Sequence, residues 1–311
     1  ITKVVSVVDN WVEKKLLHEV FTSSTCPPCV GGNQTLQTIL DGNPNKWTCI
    51  KYQMDWPGSG DPYYTPEGGV RKTYYGVSGV PNMELNGEWN DNPNSYNQTI
   101  FDQFYNVPAY MEIDAVHEIT GQNIEVEVDI TPHADFTSGL KLHIAVVENT
   151  TYNNVGSNGE TEFHYVMMKM VPDANGTSAG PFTNGTPVTF LKSASLAGTN
   201  IEEMTDLSVV VFVQNHASWE VYQSAWSVEG TVGIDETGES TITAVYPNPA
   251  NSNAFVKYQL AQNSNVTLSV HNMLGEAVYS SGTVSQTAGD HKTQLDLNDI
   301  PNGVYFLKLQ T

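Results

Sequence analysis

The sequence predicts a multi-domain chain of α/β plus all-β class. Three observations carry this expectation. A Cys-Pro-Pro-Cys motif, Cys26 to Cys29, stands between an apolar run and a helical pattern. A long middle segment then reads as strand after strand with no helix between. The character changes again after an acidic, small-residue stretch at 232–240. A length of 311 residues suits two or three domains. The expected boundaries are an α/β domain at 1–108, a β-sandwich at 109–231, a linker at 232–240 and a small β-sandwich at 241–311.

The first domain rests on its cysteines. Leu16-Leu17-His18-Glu19-Val20-Phe21 reads as a strand, and Asn33 to Leu40 reads as a helix. Two cysteines spaced by two residues at such a junction form the dithiol of a thioredoxin-like redox site. A helix N-terminus offers unpaired N–H groups and partial positive charge, which favour a thiolate. Cys26 is therefore the expected nucleophile, and Cys29, one turn later, the resolving thiol. Pro27 and Pro28 suit a first helical turn, whose N–H groups have no helical partner anyway. Further on, Gly76-Val77-Ser78-Gly79-Val80-Pro81 precedes a strand-like Met83-Glu84-Leu85 and an Asn86-Gly87 turn. A thioredoxin-like fold implies a cis Val80–Pro81 bond there, an unusual and positioned turn, with Val80 and Pro81 presenting an extended substrate peptide beside the dithiol. Zinc is disfavoured by the lack of a second CxxC or of a His pair at ligand spacing. A static disulfide that only staples the turn stays open as an alternative.

On CPPC and GVSGVP together, residues 1 to about 108 resemble the thioredoxin superfamily. More narrowly, LLHEVFTSSTCPPCVGG, Asp61-Pro62-Tyr63-Tyr64 and HYVMMKMVP are similar to the 28-kilodalton outer-membrane-protein-related family of Bacteroidota. That resemblance implies a thioredoxin-like domain joined to a β-sandwich on an exported protein. Two positions depart from efficient thioredoxins. Thr25 stands where a Trp usually precedes the first cysteine, and Val20 where a buried Asp usually assists proton transfer. Strand alternation puts Leu17, Glu19 and Phe21 on one face and Leu16, His18 and Val20 on the other. Glu19 and His18 are the substitute proton acceptors to consider, beside a plain structural role for each.

Composition narrows the rest. The chain has three cysteines, and the third, Cys49 in Trp47-Thr48-Cys49-Ile50-Lys51-Tyr52, is expected to be a buried core thiol. A disulfide-stapled scaffold is excluded. No apolar stretch approaches the roughly 20 residues of a membrane helix. The chain opens at Ile1 without a signal peptide, which fits a processed N-terminus. Net charge is −21. Residues 109–232 dominate it with 3 basic and 16 acidic side chains. Such a field repels nucleic acid and anionic membrane, so neither is an expected partner. Asn90-Asp91-Asn92-Pro93-Asn94 is oxygen-rich but lacks the spacing and closing Glu of a calcium loop.

In the middle segment, strands are expected at 110–120, 123–131, 140–147, 164–171, 188–194 and 207–215. Ile124-Glu125-Val126-Glu127-Val128-Asp129-Ile130 alternates without a break, the mark of a strand with one buried face. Asn-Gly pairs at 158–159, 175–176 and 184–185 punctuate the run. Strands at this spacing argue for an immunoglobulin-like sandwich.

After the linker come short alternating strands joined by Gly, Asn and Pro turns, as in a small β-sandwich. YPNPA, NMLGE and LNDIPNGVYFLKL, in that order, strongly resemble the C-terminal sorting domain of the type IX secretion system. The resemblance implies export across a Bacteroidota outer membrane, with an outer-membrane type IX shuttle barrel as partner through residues 241–311. The protein is expected to be secreted or held on the extracellular face of that membrane. The leading functional expectation is a thiol–disulfide oxidoreductase acting on protein thiols and disulfides, without a cofactor. The alternative is a non-catalytic surface adhesion or assembly protein, for which self-association at the cell surface is open.

Overall fold

The computed structural model describes residues 11–232, 240–250 and 252–311. The expected linker falls almost wholly outside them. The chain divides into two compact units, Ile1–Val232 and Gly233–Thr311.

In the first unit, β1 (Leu16–Thr22) leads through the cysteine turn into α1 (Pro27–Asp41), then β2 (Trp47–Gln53), α2 (Pro66–Tyr75), β3 (Asn82–Leu85), β4 (Trp89–Asp91) and α3 (Gln98–Tyr105). The strands β5 (Met111–Thr120), β6 (Asn123–Pro132), β7 (Leu140–Thr151), β8 (Phe163–Val171), β9 (Thr177–Ala179), β10 (Val188–Ser195), β11 (Leu207–Asn215), β12 (Val221–Trp226) and β13 (Val228–Glu229) follow. The β3–β4 hairpin turns at Asn86-Gly87 with φ of 53° and 66°, the left-handed pair that an Asn-Gly turn supplies.

The expected fold class does not hold. The N-terminal strands do not form an α/β domain with a sheet of its own, and no thioredoxin-like domain separates out. A nine-stranded sheet runs β12-β11-β7-β8-β2-β1-β3-β4, with β9 on β7. The join is β2 against β8, parallel, at Lys51↔Val166. Strands dominate, and the described residues hold only three α-helices. The central sandwich is likewise not self-contained: its second sheet, β10-β6-β5-β13, packs on the β7, β11 and β12 part of the large sheet. The two layers interdigitate through Ile124, Val126 and Val128 on one side and Ile144, Val146, Val209 and Val211 on the other.

Burial explains the merger. Leu17 and Phe21 of β1 share a core with Val147, Met167 and Met170 of β7 and β8 and with Val210 and Phe212 of β11. The opposite face of β1, Leu16 and Val20, packs with Leu36 and Leu40 of α1, Cys49 of β2 and Phe101 of α3. Dividing the unit near residue 108 would strip the first of these cores of half its apolar partners.

The second unit comprises β14 (Thr241–Tyr246), β15 (Asn253–Leu260), β16 (Ser264–His271), β17 (Ala277–Ser280), β18 (Val284–Gln286), β19 (Gly289–Asp296) and β20 (Phe306–Gln310). One sheet is β14-β15-β19, and the other gathers β17, β18 and β20 around β16. Val256, Tyr258, Leu260, Val266, Leu268 and Leu295 close a core between them. Among the described residues, no helix is long and apolar enough to cross a membrane.

Candidate functional site around the Cys26–Cys29 disulfide

The turn after β1 is held by side chains before the helix begins. Ser24 N donates to Asp61 Oδ2 at 2.8 Å, and Thr25 Oγ1 donates to Pro57 O at 2.6 Å. Cys26 N donates to Ser23 O at 3.0 Å. Cys26 is then the N-cap of α1, extended at φ −108° and ψ 102°, and no side chain caps the helix. Pro27 and Pro28 fill the first helical positions with φ preset and no N–H to satisfy. Cys29 N donates back to Cys26 O at 3.1 Å.

Cys26 and Cys29 are joined in a disulfide with Cα atoms 5.3 Å apart. Both are buried, at 1% and 0% exposure, while Pro27 and Pro28 between them are exposed. The loop between β7 and β8 closes over the approach. Asn158 N donates to Ser24 O at 2.9 Å. Asn158 Nδ2 lies 3.3 Å from Ser23 O and 3.4 Å from Cys26 O, and donates to Glu160 Oε2 at 2.6 Å. Gly156 sits so near the turn that a Cβ there would fall 2.5 Å from Ser24 O.

The Val80–Pro81 peptide is cis. Pro81 is buried and Val80 half-buried. Pro81 lies against α1, 3.5 Å from where a Gly32 Cβ would stand. Residues 75–82 with Asn90 and Trp219 line an open cleft of about 550 Å³.

Neither substitute proton acceptor is free. Glu19 takes bonds from the Arg71 guanidinium at 2.8 and 2.9 Å, from Tyr52 Oη at 2.7 Å and from Tyr75 Oη at 2.6 Å. His18 Nδ1 lies 3.1 Å from the carbonyls of both Leu16 and Thr48. A carbonyl can only accept, so Nδ1 carries the proton and Nε2 accepts from Tyr96 Oη at 2.9 Å. Burial lowers the His18 pKa to about 4, against the opposing hydrogen bonds to the Thr48 and Leu16 carbonyls. The unfolded chain therefore binds a proton at His18 below about pH 6.5 that the folded chain refuses until about pH 4. Stability conferred by the neutral ring is complete above about pH 6.5 and is lost as pH falls toward 4, by about 3 kcal/mol in all. Urea unfolding at pH 7 and pH 4.5 checks this. His18→Gln is expected to shrink the difference, and an unchanged difference rejects the assignment.

Cys49 is the buried thiol expected, pushed up to about 12 by burial against the opposing charge of Lys51. In the oxygen-rich loop, Asn92 Oδ1 accepts from Asn94 N at 2.9 Å and from Asn94 Nδ2 at 2.7 Å, so its side chain serves the local turn. Among the described residues, no group of three or more His, Cys, Asp or Glu is placed to hold a metal. Sequence reasoning missed Asn158, seen only as part of an Asn-Gly turn, and gave Glu160 no notice. It also gave no role to Lys51, whose charge inside an apolar strand was the available signal.

Residues 244–311 match a family described as the secretion system C-terminal sorting domain. The chain thus carries a type IX sorting domain and is a secreted or cell-surface protein. No curated protein sequence matches the chain. Among solved structures it is similar to HBP35 of Porphyromonas gingivalis, at 16% identity and a TM-score of 0.54, over 96% of this chain and 98% of that one. A structural-genomics protein from Agrobacterium tumefaciens aligns at 16% identity and a TM-score of 0.47, over 72% of this chain and 99% of that one. A domain of the outer membrane lipoprotein Omp28 from Porphyromonas gingivalis aligns at 21% identity and a TM-score of 0.27, over 39% of this chain and 89% of that one. At these identities the first likeness speaks to fold alone, and the other two carry no argument.

Proposed function

We propose that this exported surface protein exchanges disulfides with protein thiols through Cys26 and Cys29. The observation that carries the reading is the uncapped start of α1: Cys26 is itself the N-cap, and no side chain competes for the helix N-terminus. A thiolate released there on reduction meets the positive end of the helix dipole, which lowers its pKa and makes it the better leaving group. In the reaction, a partner thiolate attacks Cys26 Sγ and displaces Cys29 as thiolate. A second partner thiol then resolves the mixed disulfide, so two partner thiols become one disulfide as Cys26 and Cys29 become thiols. Run in reverse, Cys26 attacks a partner disulfide and Cys29 resolves. Val80 and Pro81, beside the open cleft, are the proposed positioning residues for the partner's extended segment.

Cys29→Ser is expected to trap partner proteins on Cys26 as adducts that dithiothreitol releases, seen on non-reducing gels of surface fractions. Absence of adducts under mild oxidation rejects the reading. The burial of both cysteines beneath the β7–β8 loop favours a second reading, in which the disulfide staples the turn of a non-catalytic surface protein.

A further inference from the structure

Along α1, next to the disulfide turn, lies a cavity of about 330 Å³ whose wall is more apolar than polar but carries several polar side chains, and the exchange reaction does not use it. Its walls are the α1 stripe Val30, Asn33, Gln34 and Gln37 and the segment leading into β8, and Lys51 and Gln53 of β2 contribute from below. Strand alternation explains the pairing: Cys49, Lys51 and Gln53 follow one another along a single face of β2, and Cys49 packs toward α1. The first of the three is covered by the core, and the next two open into the cavity.

Two features set this cavity apart from a packing defect. Gln53 is 2% exposed, yet neither its Oε1 nor its Nε2 has a hydrogen-bond partner. Buried amides are nearly always paired, so both atoms point to a ligand or to solvent held in the cavity. Lys51 is 3% exposed and makes no ion pair within 4.0 Å among the described residues. Burial lowers its pKa, while Cys49 and Glu160 raise it. An ammonium in such a place is costly unless an anion joins it. The same lining also carries acceptors. Asn33 Oδ1 is buried without a partner, and Glu160 holds Asn33 Nδ2 at 2.9 Å.

We propose that this cavity binds a free α-amino acid, with its carboxylate on Lys51 Nζ and Gln53 Nε2 and its ammonium on Asn33 Oδ1 and Glu160. A simple anion would meet Glu160, and a simple cation would meet Lys51. A zwitterion satisfies both and fills the unpaired amide atoms. The volume is at the low end for ligand pockets and suits a molecule of this size. The assignment stands apart from thiol exchange, since it uses neither cysteine.

The test is calorimetric titration of the full chain with glycine, L-serine and L-glutamine, with acetate and methylamine as half-ligands. At least one amino acid is expected to bind saturably, with each half-ligand weaker by about tenfold or more. Lys51→Met and Gln53→Leu are each expected to weaken the amino acid by about tenfold or more. Thermal melting controls for folding, because Lys51→Met removes a buried charge while keeping an apolar stem and should melt no lower than the parent chain. Absence of saturable binding by all three amino acids overturns the proposal. So does acetate binding as tightly as glycine, or a folded Lys51→Met that binds as the parent does.

Discussion

Arg71→Met is expected to destabilise the first unit by about 3–5 kcal/mol, the loss seen when one partner of a buried ion pair is removed. Arg71 and Glu19 are 2% and 1% exposed and bonded at 2.8 Å. The guanidinium also donates to Gln214 Oε1 of β11 at 3.0 Å, and Gln214 Nε2 reaches Tyr75 Oη at 2.6 Å. It lies over the rings of Tyr74 and Tyr75 at 4.9 Å and of Phe212 at 5.4 Å. Met in its place would leave the Glu19 carboxylate buried with two tyrosine hydroxyls and no counter-charge. Because the network ties β1, β2 and α2 to β11, the loss should appear in one cooperative transition of the whole first unit. Urea unfolding measures it. The double variant Glu19→Gln/Arg71→Met is expected to recover most of the loss, since no uncompensated charge remains. A single variant within about 1 kcal/mol of the parent would mean that the pair is not the tie described.

Deleting residues 244–311 is expected to abolish surface delivery in the source bacterium, with the first unit retained inside the outer membrane. The deleted segment matches the sorting family, and among the described residues the apolar core of the second unit draws on that segment and Ile242. Truncation therefore takes no residue from the cores of the first unit, which should stay folded. Protease shaving of intact cells followed by immunoblotting reads the outcome. Surface exposure equal to that of the full chain would contradict the assigned role of the tail.

The sequence displayed its local features well. The unbroken alternation from Ile124 to Ile130 became β6, and the apolar run at Leu16 became β1. The cysteine motif and the Asn86-Gly87 turn were also legible, because each depends on a few neighbouring residues. The joining of the sheets was not legible. It turns on β2 meeting β8 at Lys51↔Val166, a contact between strands more than a hundred residues apart whose edges carry no local mark. The β-rich middle segment was visible, but not that its β7, β8, β11 and β12 would complete the sheet begun by β1 and β2. The same limit applies at the site. CPPC announced a disulfide, yet its burial depends on Asn158 and Gly156 arriving from a distant loop. Glu19 stood out in the apolar strand as a candidate proton acceptor or a plain structural residue, and only the fold brings Arg71 to it. Lys51 was the clearest signal passed over, a charge between Ile50 and Tyr52 in a strand otherwise fit for the core.

The central claim is that the Cys26–Cys29 disulfide is exchangeable, and its reduction potential tests this most directly. Equilibration of the full chain with graded glutathione or dithiothreitol buffers, read by alkylation and mass shift, gives the value. The exchange reading predicts a potential above about −230 mV, in the range of disulfide oxidants and isomerases. A value below about −300 mV would contradict it and mark the bond as a structural staple beneath the β7–β8 loop.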